Sequence, residues 1–315
     1  QNINDLVKFK KEISDLEREI TMFHAKIPND IGIENENLII GFHGQTIFHN
    51  SKDKISKQLG DGKLLNQLVK KKIIFNFRNN DIENGGEGAP LTPLFHQLLA
   101  TQKKIKLPVC FLNIGGIANI SIIKEPIGSQ QLFSRDIGPG NCLIDMWVRK
   151  NSNNRFDKNA KLALIGKRNE IMFEQAQIFF ENKKIKKLSY DVGDFDVSFM
   201  RGLSLEDGAK TLTDFTSNLI SGALIENFNN FKVKNASTIL CGGGRKNKYL
   251  VSLIETQIRG HTKLELIDNF KVDGDFIESQ AFAFLAIRSI LNLPITFPNT
   301  TGCKNATSGG ELINN

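Results

Sequence analysis

Cysteine is scarce in this chain, and its placement rules out several chemistries. Cys110, Cys142, Cys241 and Cys303 are the only four in 315 residues. No two stand at the spacing of a zinc or redox site. Cys110 and Cys241 lie in apolar runs, where a thiol behaves as a small hydrophobe; that usage suits a reducing cytoplasm. There is no His-Glu-x-x-His, no nucleophile elbow and no Cys-x-x-Cys, so metal hydrolase and serine hydrolase chemistry have no support. The chain also lacks Gly-x-x-x-x-Gly-Lys-Ser/Thr and a Gly-x-Gly-x-x-Gly after a strand. If it binds a nucleotide, neither the P-loop nor the dinucleotide fingerprint holds it. No stretch approaches the roughly 18 uninterrupted apolar residues of a membrane span. The best candidate, residues 108–123, is broken by Asn113, Gly115, Gly116 and Asn119. The first residues are polar and charged, without the apolar core of a secretory leader.

A formal net charge of +7 raises the question of nucleic acid. Basic residues signal such a partner only when organised into a patch. The densest runs, Lys70–Lys72 and Lys183–Lys187, have no interleaved aromatics and read as solvated helix ends. A modest positive field still favours an anionic ligand. With 40% hydrophobic residues and a mean hydropathy of −0.23, the chain is an ordinary globular protein able to bury one large core or two.

Periodicity predicts a mixture of strands and helices. Leu6, Phe9, Ile13, Leu16, Ile20 and Phe23 recur at helical spacing over residues 3–26. Apolar runs at 38–42, 72–77, 109–114, 117–123, 237–241 and 263–267 read as strands. Helices are expected at 91–99, 142–150, 168–182, 211–230, 247–258 and 277–291. Hairpins and crossovers both occur, so the sheets should be mixed.

Three small-residue turns carry the chemistry. Asn113-Ile-Gly115-Gly116 joins two strands as a hairpin, and backbone N–H groups without side chains above them let an anionic oxygen approach. Asp136-Ile-Gly-Pro-Gly-Asn141 sets a carboxylate before a turn that leads into a helix. Gly242-Gly243-Gly244 follows a strand and precedes a helix, a general way to receive a nucleotide. Each turn alone is a common connection; together they point to a phosphate site.

In order, the motifs are Gly41-Phe-His-Gly-Gln-Thr46, Phe77-Arg78 with Asp81, Gly85-Gly-Glu-Gly-Ala-Pro-Leu91, Asn113 to Asn119 and Asp136 to Asn141. Cys241-Gly-Gly-Gly-Arg-Lys-Asn247 and Asp275-Phe-Ile-Glu278 follow. This series resembles the anhydro-N-acetylmuramic acid kinases of the actin-like sugar kinase and ATPase superfamily, over about residues 10 to 302. The resemblance implies an α/β, two-lobed actin-like (ribonuclease H-like) fold with mixed sheets and a cleft between the lobes. Residues 1–95 would form a first lobe and 96–290 a second with the nucleotide-binding turns. Residues 291–315 would pack at the lobe junction.

The resemblance further implies a cytoplasmic kinase using ATP and Mg²⁺, with no nucleic acid or membrane partner and a homodimer left open. It would open the ring of 1,6-anhydro-N-acetylmuramic acid with water and phosphorylate it to N-acetylmuramic acid 6-phosphate, in peptidoglycan recycling. Asp136 would be the base. Gln45, Thr46 and Arg78 would bind the sugar, Arg78 through its lactyl carboxylate. Asn113, Gly115, Gly116, Gly242, Gly243, Gly244 and Glu278 would serve the nucleotide; no residue is assigned to the metal. Local roles stand beside these. Asp136 could be a turn-starting residue bonded to nearby N–H groups, Arg78 could pair with Asp81 or Glu83, and Glu278 could stabilise a helix N-terminus. His43 reads as a core or supporting residue.

Departures are visible as well. Family members open with Gly-Thr-Ser-Leu-Asp-Gly, absent here, so the first lobe is expected to be truncated at its start and the chain as it stands not to turn over ATP. Near 185–195 a Pro-Pro-Lys-Ser segment and a following Arg are replaced, the Arg position reading as Val192. Ser279 stands where Ala is usual. Two other readings remain: a relic that binds sugar or a partner without turnover, and a different actin-fold sugar kinase.

Overall fold

A computed structural model describes residues 3–32, 38–50, 53–127, 131–184 and 190–314. The chain divides into two units, Gln1–Phe95 with Glu278–Asn315, and His96–Ile277. The first begins with helices α1 (Ile3–Lys8) and α2 (Lys10–Asp30). Then come strands β1 (Ile39–Gly41), β2 (Gln45–Asn50) and β3 (Ile55–Leu59), helix α3 (Gly62–Val69), strand β4 (Lys72–Phe75) and helix α4 (Asn79–Glu83). Helix α5 (Pro93–Gln102) leads into the second unit, which holds β5 (Val109–Ile114), β6 (Ile117–Ile123), β7 (Leu132–Pro139), α6 (Cys142–Asn151), α7 (Lys161–Ile165), α8 (Glu170–Lys184), α9 (Leu205–Asn230), β8 (Ser237–Cys241), α10 (Lys248–Gln257) and β9 (Lys263–Leu266). Helices α11 (Ile277–Ile290) and α12 (Pro298–Thr301) and strand β10 (Glu311–Ile313) close the chain.

The second unit is built on a five-stranded sheet in the order β7-β6-β5-β8-β9. Strand β6 runs antiparallel to both neighbours, whereas β5, β8 and β9 are parallel. Counted by appearance the order is 3-2-1-4-5 with only the second strand reversed, the arrangement of a ribonuclease H-like half of the actin-like fold. Strands covered on both faces read as unbroken apolar runs, and Val109 to Leu112 and Ile239 to Cys241 are all fully buried. Helix α9 lies in this core although it is rich in hydroxyls. Ser204 caps it, accepting from Asp207 N. Buried Thr211 and Thr213 satisfy themselves by donating to the carbonyls of Asp207 and Ala209, four residues back. Trp147 reaches across from α6 and donates its indole N–H to Leu205 O at 2.9 Å.

In the first unit β4 sits between β1, parallel, and β10, antiparallel. Strands β2 and β3 form a separate antiparallel pair. The expected boundary at residue 290 is corrected here. Residues from Glu278 onward join the first unit, because α11 buries Phe282, Leu285 and Ala286 against Ile74, Phe77 and Leu91. The final segment likewise enters the first unit's sheet as β10, with Leu312 opposite Ile74.

Helix α2 forms where the periodicity places it, but another face is used. Glu17 pairs with Lys57, the buried Thr21 hydroxyl accepts Asp61 N–H, and Ala25 packs against Phe42, Leu65 and Ile73. Phe9, Leu16 and Phe23 of the apolar stripe are exposed. No helix among the described residues is long and apolar enough to cross a membrane.

Candidate active site

The three glycine turns converge at one end of the second unit's sheet, beyond the C-terminal ends of parallel β5 and β8, where ligands bind in open α/β sheets. Gly115-Gly116 joins β5 to β6. Its carbonyls are engaged inward: Gly116 O accepts from Gly140 N and Cys142 N, and Gly115 O from Asn141 N at 2.8 Å. The Asn141 side chain adds donors to Ile114 O and Gly115 O. Two carbonyls that would repel an anion are therefore tied to the Gly138–Asn141 turn.

The third turn rests on the first. Gly242 has φ +78° and ψ 175°, a conformation essentially confined to glycine. A side chain there would overlap the Asn113 amide oxygen and approach Ile114 O to 2.7 Å, and one at Gly244 would overlap the Ile114 side chain. Gly243 faces open space and lines a pocket of about 370 Å³ with Asn141, Asp145, Phe156, Lys246 and Asn247. Burial pushes the Asp145 carboxyl up to about 6, against the lowering effect of Arg149.

Arg245 locks this turn from behind. Its buried guanidinium donates to Asp268 at 2.9 Å, to Asp275 at 2.8 Å and to Gly242 O at 3.0 Å, with Asp273 at 3.7 Å. The Arg245 hydrogen bond holds the Asp268 carboxyl below its usual range; Lys246 together with Arg245 does the same for Asp275.

Asp136 is on β7, opposite Asn119, next to a register irregularity between Ala118 and Asn119. Such bulges re-aim side chains. The carboxylate is buried, at 7% exposure, and its Oδ2 accepts the Tyr190 N–H at 2.9 Å. Val192, two residues on, lies within about one van der Waals contact of Gly116, since a Cβ on that glycine would stand 3.3 Å from it. Residues 185–189, where the departure begins, lie outside the described residues.

In the first unit, Arg78 opens α4. It donates Nη1 to Gly88 O at 2.7 Å, and Nε and Nη2 reach His43 Nε2 at 3.1 and 2.9 Å. His43 Nδ1 lies 2.8 Å from Gly44 O, which can only accept, so the proton sits on Nδ1 and Nε2 is the acceptor. Burial, then the Arg78 charge, lowers the His43 pKa to about 3. The neutral ring packs at a tilt of 33° against Phe282, with ring centroids 4.2 Å apart. Asp81, one of the two local partners expected for Arg78, instead accepts from Gly88 N and the Thr301 hydroxyl. Gln45 begins β2 and is exposed; Thr46 accepts from Gln58. Thus His43, Gly44, Gln45 and Arg78 form one group, with His43 linking the arginine to the turn. Glu278 is exposed on the first turn of α11.

A family model described as anhydro-N-acetylmuramic acid kinase matches residues 11–315. The chain belongs to the anhydro-N-acetylmuramic acid kinase family. The kinase of that name from Pelagibacter ubique (strain HTCC1062) is 51% identical over 318 positions, covering 100% of this chain and 84% of the relative. The one from Brucella canis (strain ATCC 23365 / NCTC 10854 / RM-666) is 36% identical, over 95% and 80%. Among solved structures, the activator of the 2-hydroxyisocaproyl-CoA dehydratase from Clostridium difficile with bound ADPNP aligns over 62% of this chain and 69% of that one. Its TM-score of 0.36 and identity of 10% add nothing to the family assignment.

Sequence reasoning about this family member brought out the turns, Asp136 and Arg78. It missed Arg245 as the lock of the glycine turn and Asn141 as a donor to the hairpin, and it read His43 as a core or supporting residue without naming Arg78 as what it supports. The signal for Arg245 was present in Asp273 and Asp275, which precede the last long helix and read as acids at its N-terminus; the fold brings both, with Asp268, to one guanidinium.

Proposed function

We propose that the protein is an ATP-dependent kinase that opens 1,6-anhydro-N-acetylmuramic acid with water and yields N-acetylmuramic acid 6-phosphate and ADP, in the cytoplasm. The observation that carries this reading is the packing of three glycine turns on one another beside a buried carboxylate. Asp136 is the base: with its carboxylate oriented by Tyr190 N–H, it takes a proton from water as the water oxygen bonds to the anomeric carbon. The bond from that carbon to O6 breaks, and O6 then bonds to the γ-phosphorus while the bond to the β-phosphate oxygen breaks. Phosphoryl transfer depends mainly on positioning and charge neutralisation, which the backbone of Gly115-Gly116 and Gly242–Gly244 supplies to the phosphates, with Asn113 beside them. Arg78 receives the lactyl carboxylate, and Gln45 and Thr46 offer an amide and a hydroxyl to sugar oxygens. Glu278 serves the nucleotide side.

Among the described residues no group of three or more His, Cys, Asp or Glu could hold a metal ion. Magnesium is commonly held by one or two carboxylates plus substrate phosphates, and an ion bound with ATP would neutralise phosphate charge. A coupled ADP-release assay with 1,6-anhydro-N-acetylmuramic acid on the full-length protein tests the reading. ADP release should require the sugar, and release at the same rate without it would refute the assignment.

A further inference from the structure

We propose that Asp81 is a positioning residue for Arg78, setting the guanidinium through the backbone of Gly88; this rests on the reading of Arg78 as the group that receives the sugar carboxylate. The two Asp81 oxygens have separate partners. Oδ2 accepts the Gly88 N–H at 2.7 Å, and Oδ1 accepts the Thr301 hydroxyl at 2.7 Å. The carbonyl of the same Gly88 accepts Arg78 Nη1 at 2.7 Å. One residue thus joins a buried carboxylate, at 1% exposure, to the substrate arginine.

The loop is wrapped around this carboxylate. Gly86 N donates to Asp81 O, Glu87 N donates to Thr301 O, and a side chain at Gly86 would overlap the Asp81 carboxylate. Arg78 is therefore braced in at least two different ways. His43 Nε2 fixes one edge of the guanidinium, and the Gly88 carbonyl, set by Asp81, fixes Nη1. Charged groups bonded to a buried N–H make strong, short contacts, so displacing Asp81 frees the Gly88 backbone, carbonyl included, and lets the arginine swing. A misplacement of about 1 Å at a binding group can cost roughly a hundredfold.

The chemistry of the pair allows a graded test. In Asp81→Asn the amide oxygen can still accept from Gly88 N, while the amide nitrogen donates to the Thr301 oxygen, which accepts as readily as it donates. Thr301→Ser keeps the hydroxyl, and Thr301→Val removes it at similar volume. Steady-state kinetics with each substrate varied, supported by thermal melts, read the outcome. Asp81→Ala should raise the sugar KM about tenfold or more and leave the ATP KM within about twofold, with kcat much less affected. Asp81→Asn and Thr301→Ser should stay near wild type, and Thr301→Val should fall between. If Asp81→Ala does not fold, Thr301→Val against Thr301→Ser carries the same comparison. A sugar KM unchanged in Asp81→Ala but raised in Arg78→Ala overturns the role of Asp81 alone. A sugar KM unchanged in Arg78→Ala overturns the reading of Arg78 with it. Equal increases for sugar and ATP, or an Asp81→Asn enzyme as impaired as Asp81→Ala, show that Asp81 only supports the fold.

Discussion

Three consecutive glycines, Gly242, Gly243 and Gly244, should respond to alanine in three different ways. At Gly242 the backbone lies in a region that costs roughly 1–3 kcal/mol for a residue with a Cβ. The added methyl would also meet Ile114 O at 2.7 Å and overlap the Asn113 amide, neither of which can withdraw without disturbing the end of β5. Overpacking of this kind typically adds about 1–3 kcal/mol. Gly242→Ala should therefore lose about 3 kcal/mol, which for a unit of this size lowers Tm by roughly 6–12 °C. It should weaken ATP binding too, because Asn113 and the Gly115 turn move with it. Gly244→Ala should also be destabilised, since its methyl runs into the Ile114 side chain, which can shift more easily than backbone. Gly243→Ala has open space and should melt within about 1 °C of the wild type. Circular-dichroism melts of the three variants, with ATP titration calorimetry on each, make the comparison. Equal melting temperatures for Gly242→Ala and Gly243→Ala would refute the argument that the turn is pinned against β5.

Asp136→Asn should fold and bind ATP but lose kcat by at least about a hundredfold; retention of a tenth of the activity would give the proton to another group. Arg78→Ala should weaken sugar binding by roughly 1.5–3 kcal/mol, measured by calorimetry, with ATP binding unchanged. The buried rings of His43 and His96 are both lowered to about 3, His43 by burial and Arg78 and His96 by burial alone. Above the unfolded pKa of about 6.5 both states hold these rings neutral, so their full stability is present. As pH falls from there toward 3 only the unfolded chain takes up the protons. At pH 5 each ring should cost about 2 kcal/mol, seen as a lower urea midpoint at pH 5.0 than at 7.5; an unchanged midpoint would mean the folded protein protonates them.

Local pattern made part of this molecule readable. The hairpin at 109–114 and 117–123 and the strand at 237–241 were visible because largely apolar stretches flank or run into glycine turns, and the structure has β5, β6 and β8 at those bounds. Strands β2 and β3 were not, since Gln-Thr-Ile-Phe-His-Asn and Ile-Ser-Lys-Gln-Leu mix polar and apolar residues without clean alternation. Strand β7 was hidden by reading Asp136 as the start of a turn. Strand β10 has three residues and a partner more than 230 positions earlier, so no window of sequence contains its signal. The same separation explains the misses at the site. Arg78 meets His43 across 35 residues, Asp81 meets Thr301 across 220, and Arg245 collects its aspartates from 23 to 30 residues downstream. What a residue does alone was legible, and what it is tied to was not.

The return of the chain to its first unit fixes an order of assembly. Everything that shapes the glycine turns lies in the continuous stretch His96–Ile277, and that sheet can close while later residues are still being synthesised. The arginine's loop cannot be finished then, because Thr301, which holds Asp81, and β10, which completes the sheet beside β4, come at the far end of the chain. Closing contacts of such sequence separation is slow. A nascent protein thus completes its glycine turns first and the loop that holds Arg78 last. A ribosome stalled after Ile277 would leave a chain with its glycine turns built and the Asp81 carboxylate still waiting for Thr301.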